Sequence, residues 1–142
     1  MADIYLCPLM MCADFGNLKN EVTSLEKAGA DIFHIDIMDG KYVPTIGMGL
    51  QDFKIIRETT DLTLDVHLMV EDVESYIKSF AIFDPNIITF HLETAKNKEE
   101  VFKWIKLLKE NNIRVGISIK PDTKVEEIYE YLESNKSLIR DG

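Results

Sequence analysis

Short apolar runs alternate with amphipathic stretches along almost the whole chain. Ile4-Tyr5-Leu6-Cys7 predicts a first strand, and Leu18, Val22 and Leu25 form the stripe of a helix that Gly29 is placed to end. Residues 32–38 predict a second strand. Residues 40–49, with Pro44 and several glycines, predict a loop, and Leu50, Phe53 and Ile56 a short helix. A third strand is expected over 62–69. Asp72 then caps a helix carrying Val73, Tyr76, Ile77 and Phe80. The fourth strand spans 86–92 and precedes a helix marked by Val101, Ile105 and Leu108, with Asn97 as its cap and Glu100 three residues on. The fifth strand spans 113–119, and Thr123-Lys124-Val125-Glu126 predicts a capping box opening a last helix through Ile128, Tyr129 and Leu132.

Strands separated by helices favour a parallel sheet, because each crossover between parallel neighbours needs a connection of helical length. Five βα units suit either an open doubly wound sheet or part of a (β/α)8 barrel. An open sheet of the nucleotide-binding kind announces itself with a glycine-rich turn after the first strand. The residues there are Pro8-Leu9-Met10-Met11-Cys12-Ala13-Asp14, which offer no phosphate cradle. The pattern therefore predicts an α/β fold, a partial (β/α)8 TIM barrel of about five units. It is shorter than the roughly 200 residues of a complete barrel.

Composition narrows the partners. With 142 residues, 46% hydrophobic and 29% charged, the chain reads as one globular domain. A formal net charge of -9 argues against nucleic acid, whose phosphates need a basic footprint. It does not argue against a phosphorylated small molecule, which backbone N–H groups can hold. No membrane-spanning run or leader pattern is visible. Two cysteines, Cys7 and Cys12, are too few for a disulfide framework, so a cytoplasmic setting is expected. A homo-oligomer is compatible with all of this.

The candidate chemistry lies in the strands. Each of the three histidines has a carboxylate two residues away: His34 with Asp36, His67 with Asp65, and His91 with Glu93. That spacing puts both side chains on one face of a strand. Two imidazoles and a carboxylate from adjacent strands can hold a divalent metal and leave room for substrate oxygens. A carboxylate bound there can remove a proton next to a carbonyl that the metal polarises. Asp39 reads as a turn residue, Cys12 as a small packed residue, Met10 and Met11 as core, and residues 96–100 as a solvated helix start.

The segment Phe33-His34-Ile35-Asp36-Ile37-Met38-Asp39-Gly40-Lys41-Tyr42-Val43-Pro44 resembles a signature of the ribulose-phosphate 3-epimerase family. Asp65-Val66-His67-Leu68-Met69 resembles its second signature, and Phe90-His91-Leu92-Glu93 and residues 115–121 continue the likeness. Met10-Met11-Cys12 and Gly47-Met48-Gly49 are more similar to its allulose-6-phosphate 3-epimerase branch. The resemblance implies a barrel that inverts C3 of a phosphorylated ketose, ribulose 5-phosphate or allulose 6-phosphate, through a metal-stabilised enediolate. His34, Asp36 and His67 would be ligands of zinc, iron, manganese or cobalt. Asp36 would also be one of two acid/base groups, and His67, Met38 and Met69 would contact substrate. His91 and Glu93 take a supporting place.

Departures accompany the likeness. Leu9 stands where the family has a serine, and Thr45 where it has an asparagine. The family's second aspartate lies on a seventh strand and its phosphate loop follows the sixth, beyond the five units read here. Residues 1–133 are thus expected to form a partial barrel and residues 134–142 a tail outside the family pattern, the mark of a truncated product. The alternative to an epimerase is a catalytically incompetent half barrel that binds metal weakly or associates with another chain.

Overall fold

The computed structural model describes residues 4–134. The tail expected over 134–142 lies, apart from Ser134, outside the described residues. Four strands form one sheet: β1 (Ile32–Met38), β2 (Thr63–Met69), β3 (Ile87–His91) and β4 (Arg114–Ser118). They lie in the order β1-β2-β3-β4, every neighbouring pair parallel. The helices are α1 (Leu18–Lys27), α2 (Leu50–Thr59), α3 (Val73–Ala81), α4 (Lys98–Glu110) and α5 (Tyr129–Ser134). No helix among the described residues is long and apolar enough to cross a membrane.

Strand order decides between the two architectures. A doubly wound sheet reverses direction at a switch point, with helices on both faces. Here the order never reverses, and the right-handed rule for parallel crossovers then puts successive helices on one side. The strand pattern agrees, since residues 33, 35 and 37 of β1 and 64, 66 and 68 of β2 are buried and their alternates half-buried. One face of the sheet therefore carries the apolar core, including Phe33, Ile35, Leu64, Val66, Ile88 and Phe90. The other carries His34, Asp36, Asp65, His67 and Thr89. This is the sheet of a partial α/β barrel, with polar groups on the inner side.

Local signals place the helices as expected. Asn97 accepts from the Glu100 N–H at 2.9 Å and Asp72 from the Ser75 N–H at 3.1 Å. Gly29, at φ +99°, ends α1 while the Ala30 N–H returns to the Leu25 carbonyl at 3.1 Å, which is a Schellman closure.

Two expectations need correction. Residues 4–7 are not a strand of the sheet. Only the Asp31, Ile32 and His34 N–H groups reach the carbonyls of Leu6 and Pro8, and Leu9 forms one isolated bridge to His34. Pro8 has no N–H to donate, and Ile4, Tyr5 and Leu6 are exposed, so little holds a full ladder at this edge. Among the described residues four strands, not five, make the sheet. The capping box at Thr123 does not form either. The Thr123 hydroxyl donates to Glu93 instead, residues 125–128 make a 3-10 turn, and α5 begins only at Tyr129. Met10 is core as expected, whereas Cys12 is exposed.

Gly116 on β4 sits beside Thr89 on β3. A methyl group added there would come within 2.9 Å of Thr89 Cβ as well as overlapping its hydroxyl, so rotating the threonine does not relieve the clash. Gly116→Ala is expected to cost about 1–3 kcal/mol through overpacking, read as a lower urea midpoint with an unchanged slope.

Candidate metal centre and active site

Register assembles the site. His34 stands opposite Asp65, and Asp36 opposite His67. Neighbouring strands are about 4.8 Å apart, whereas residues i and i+2 of one strand are about 6.6 Å apart. Polar partners are therefore found chiefly across strands. His34 Nδ1 lies 2.8 Å from Asp65 Oδ2, and its Nε2 lies 3.1 Å from Asp36 Oδ1. His67 Nδ1 approaches the same Asp36 oxygen at 3.1 Å. Of the three same-strand pairs suggested by spacing, His34–Asp36 forms directly. His91 Nδ1 and Glu93 are 3.5 Å apart, and Asp65 serves His34 rather than His67.

His34, Asp36 and His67 each offer a ligand atom, and the three atoms lie within 4.8 Å of one another. Their hydrogen bonding tests whether a cation suits them. His34 Nδ1, against the Asp65 carboxylate, carries a proton, so a neutral ring aims the bare lone pair of Nε2 at Asp36 Oδ1. Two acceptors 3.1 Å apart repel unless positive charge joins them. Without a metal that charge is a second proton. The hydrogen bond to Asp65 raises the His34 pKa against the opposing effect of burial, with the charges of Asp65 and Asp36 adding to it. Two imidazoles and a carboxylate, with a second carboxylate fixing one ring, are a donor set for a divalent transition metal. The residues fit such an ion.

Around this centre lie groups that spacing alone did not bring together. Met38 and Met69 are directly opposite each other one layer along the same face, both half-buried. The loop after β1 folds back on its strand, the Gly47 N–H reaching the Met38 carbonyl at 3.1 Å and the Met48 N–H the Asp36 carbonyl at 3.2 Å. Asp39 accepts from the N–H groups of Lys41, Tyr42 and Glu71, confirming a turn role. Tyr42 rests on the His91 ring, 5.2 Å between centroids, and the Lys120 ammonium lies 4.1 Å above the Tyr42 ring. Glu93 gathers this region. One of its oxygens accepts from Lys120 N–H and Thr123 O–H, and the other from Tyr42 O–H at 3.3 Å. Burial and the Glu93 charge push the Tyr42 phenol up to about 12.

His91, given a supporting place from the sequence, lies directly against His67. Its Nε2 is 2.9 Å from His67 Nε2, with ring centroids 5.0 Å apart and ring planes inclined by 22°. Burial, followed by the neighbouring His67, lowers its pKa. The register sets Thr89 opposite His67, so His91 meets His67 as a diagonal neighbour two residues further along β3, which no spacing within one strand reveals.

The carboxylates give a pH dependence. At Glu93 burial favours the neutral acid, but donation from Thr123 and from the Lys120 N–H outweighs it and the pKa is lowered. At Asp39 burial is likewise outweighed by backbone N–H groups, that of Glu71 first. A depressed folded pKa means that the unfolded chain binds more protons in acid. The stabilisation is present above the ordinary value of 4.5 for glutamate and lost as pH falls through the lower folded value. The contribution of these two carboxylates to the urea midpoint should hold to about pH 4.5 and then decline. A Glu93→Gln, Asp39→Asn double variant should show a shallower decline, and a wild-type slope in that variant would contradict the assignment.

Sequence and structure comparisons agree with this geometry. Residues 5–139 match the model of the ribulose-phosphate 3 epimerase family. The ribulose-phosphate 3-epimerase of Bacillus subtilis is 40% identical over 125 residues, covering 88% of this chain and 56% of that protein. That of Methanocaldococcus jannaschii is 38% identical over 123 residues, covering 87% and 50%. The cytoplasmic isoform of Oryza sativa is 34% identical over 133 residues, covering 94% and 58%. The chain thus spans about half the length of the curated relatives it matches. A phosphonopyruvate hydrolase, crystallised with oxalate and Mg2+, resembles it in fold, with a TM-score of 0.50 at 14% identity over 98% of this chain and 62% of that one. Strand order, the inner-face His and Asp cluster and a family match along most of the sequence lead to one conclusion: the chain belongs to the ribulose-phosphate 3-epimerase family.

Proposed function

We infer that this chain carries the metal-binding and proton-abstracting wall of a ketose-phosphate 3-epimerase. The observation that carries the reading is the convergence of His34 Nε2, His67 Nδ1 and Asp36 Oδ1 on one point of the inner face. His34, Asp36 and His67 would hold a divalent cation; zinc, iron, manganese and cobalt all suit these donors. Bound there, the cation supplies Lewis acidity toward neighbouring oxygens of a ketose, which acidifies the proton between them. Asp36 removes that proton from C3. Its Oδ1 faces both imidazoles, and Oδ2 takes no part in those contacts, so one oxygen is free for the base role. Met38 and Met69 lie beside the resulting enediolate, where polarisable sulfur accommodates delocalised charge without protonating it. His67 orients the substrate at the same centre.

The names of the relatives support ribulose 5-phosphate as the substrate. The residues suggestive of the allulose 6-phosphate branch include Met10 and Met48, which are core side chains with 0% and 2% exposure. Packing explains them without reference to substrate. Family membership also favours catalysis over a half barrel without activity, and a cytoplasmic setting accords with a soluble sugar phosphate.

The partner acid implied by the resemblance belongs to a seventh strand, so the test is the half of the reaction that needs one base. The chain, loaded in turn with each of the four metals, is incubated with ribulose 5-phosphate in D2O, and C3 deuteration is followed by NMR. Metal-dependent incorporation is expected. None with any metal would overturn the reading, and faster exchange into allulose 6-phosphate would move the assignment to that branch.

A further inference from the structure

We propose that His91 and Glu93 form a positioning relay behind the metal ligand His67, holding it in the tautomer that leaves Nδ1 bare toward the metal. The proposal rests on the metal-site reading above and extends it to two residues outside the ligand set.

The relay begins at Glu93. Its carboxylate is held by Lys120 N–H, Thr123 O–H and Tyr42 O–H, from segments after β4 and β1, so its direction is set before His91 is considered. His91 Nδ1 is buried, lies 3.5 Å from Glu93 Oε2 and has no hydrogen-bond partner among the described residues. A buried ring nitrogen beside a carboxylate is stable when it carries the hydrogen, because a bare lone pair there would face a second acceptor. A neutral His91 with its proton on Nδ1 has a bare Nε2. That atom is 2.9 Å from His67 Nε2, which must then be the donor. The Ser118 hydroxyl, 3.4 Å from the same His67 nitrogen, can rotate to accept or to donate and imposes neither choice.

With its hydrogen on Nε2, neutral His67 presents an unprotonated Nδ1 to Asp36 Oδ1 at 3.1 Å, the arrangement a metal requires. The two ligand imidazoles are then oriented alike. Asp65 acts on His34 directly, and Glu93 acts on His67 through one intervening ring. The opposite assignment, with His91 donating from Nε2, leaves its Nδ1 lone pair buried against a carboxylate. The relay also ties the loop bearing Tyr42 to the metal ligand, because both hang from the same carboxylate oxygen.

The test uses the zinc-loaded 142-residue chain and long-range proton–nitrogen correlation of its histidine rings. The relay requires Nδ1–H on His91 and Nε2–H on His67, while a bare Nδ1 on His91 would overturn it. Zinc affinity provides the second readout. His91→Leu should weaken binding about 10- to 100-fold, the usual effect of losing an outer partner of a ligand. His91→Gln, whose amide oxygen can accept from His67, should recover most of the loss, and Glu93→Gln should fall between. Circular dichroism of each variant separates this from unfolding, and wild-type affinity in a folded His91→Leu chain would refute the relay. If the wild-type chain binds no zinc, or binds it equally well after His67→Ala, the metal-site reading itself fails and the relay with it.

Discussion

Replacing Asp36 with asparagine is expected to reduce C3 proton exchange by about 10²- to 10⁴-fold, the span a positioned general base contributes. The substitution keeps the size of the side chain and can keep an oxygen near the two imidazoles, so the fold should survive. It removes both the negative charge that balances the cation and the basic lone pair. These effects separate when exchange is measured with metal saturating for each variant. Loss of the charge appears in the metal titration, and loss of the base appears in the rate at saturation. Asp65→Asn provides the contrast. Asp65 touches His34 but not the proposed ion, so that change should weaken metal binding and leave the saturated rate near wild type. An Asp36→Asn chain that exchanges the C3 proton at the wild-type rate would remove Asp36 from the base role.

The second large effect concerns the wall itself. Phe90 is fully buried, pairs β3 to the helical layer, and meets Trp104 of α4 edge to face at 5.2 Å. Its neighbour in sequence, His91, points to the opposite face and into the site. Phe90→Ala should cost about 3–5 kcal/mol, combining lost transfer energy with a cavity that the sheet cannot collapse to fill. Because β3 lies between β2 and β4, the loss falls on the centre of the sheet. Against a total stability of about 5–15 kcal/mol, that is enough to unfold much of the population at moderate urea. Equilibrium unfolding followed by Trp104 fluorescence measures it, and a shift below about 1 kcal/mol would show that the ring is not part of a close-packed core.

Much of the fold was legible because its signals are local. Alternating burial in β1 and β2, the apolar stripes of the helices and the caps at Asp72 and Asn97 all depend on residues close in sequence. The failures came where a distant group competed. Thr123 has the spacing of a capping residue, but the Glu93 carboxylate, thirty residues earlier, takes its hydroxyl. Residues 4–7 have a strand's composition, yet Pro8 interrupts donation and they lie exposed at the edge of the sheet. Tyr42 and Lys120 lie within the segments that carry the family likeness but were given no role, because their part in the site comes from two loops meeting above His91.

The candidate site divides in the same way. By itself the sequence determined that His34 and Asp36 share a strand face and that His67 shares one with Asp65, since side chains alternate with a period of two; the same expectation for His91 and Glu93 fails because β3 ends at His91 and Glu93 lies in a 3-10 turn. Only the tertiary structure decided which carboxylate serves which imidazole. A strand neighbour is nearer than the next residue on the same face, so register, set by packing of the opposite apolar face, overrides spacing. That is why Asp65 turns to His34, why His67 is left to Asp36, and why His34, Asp36 and His67 converge as one donor set.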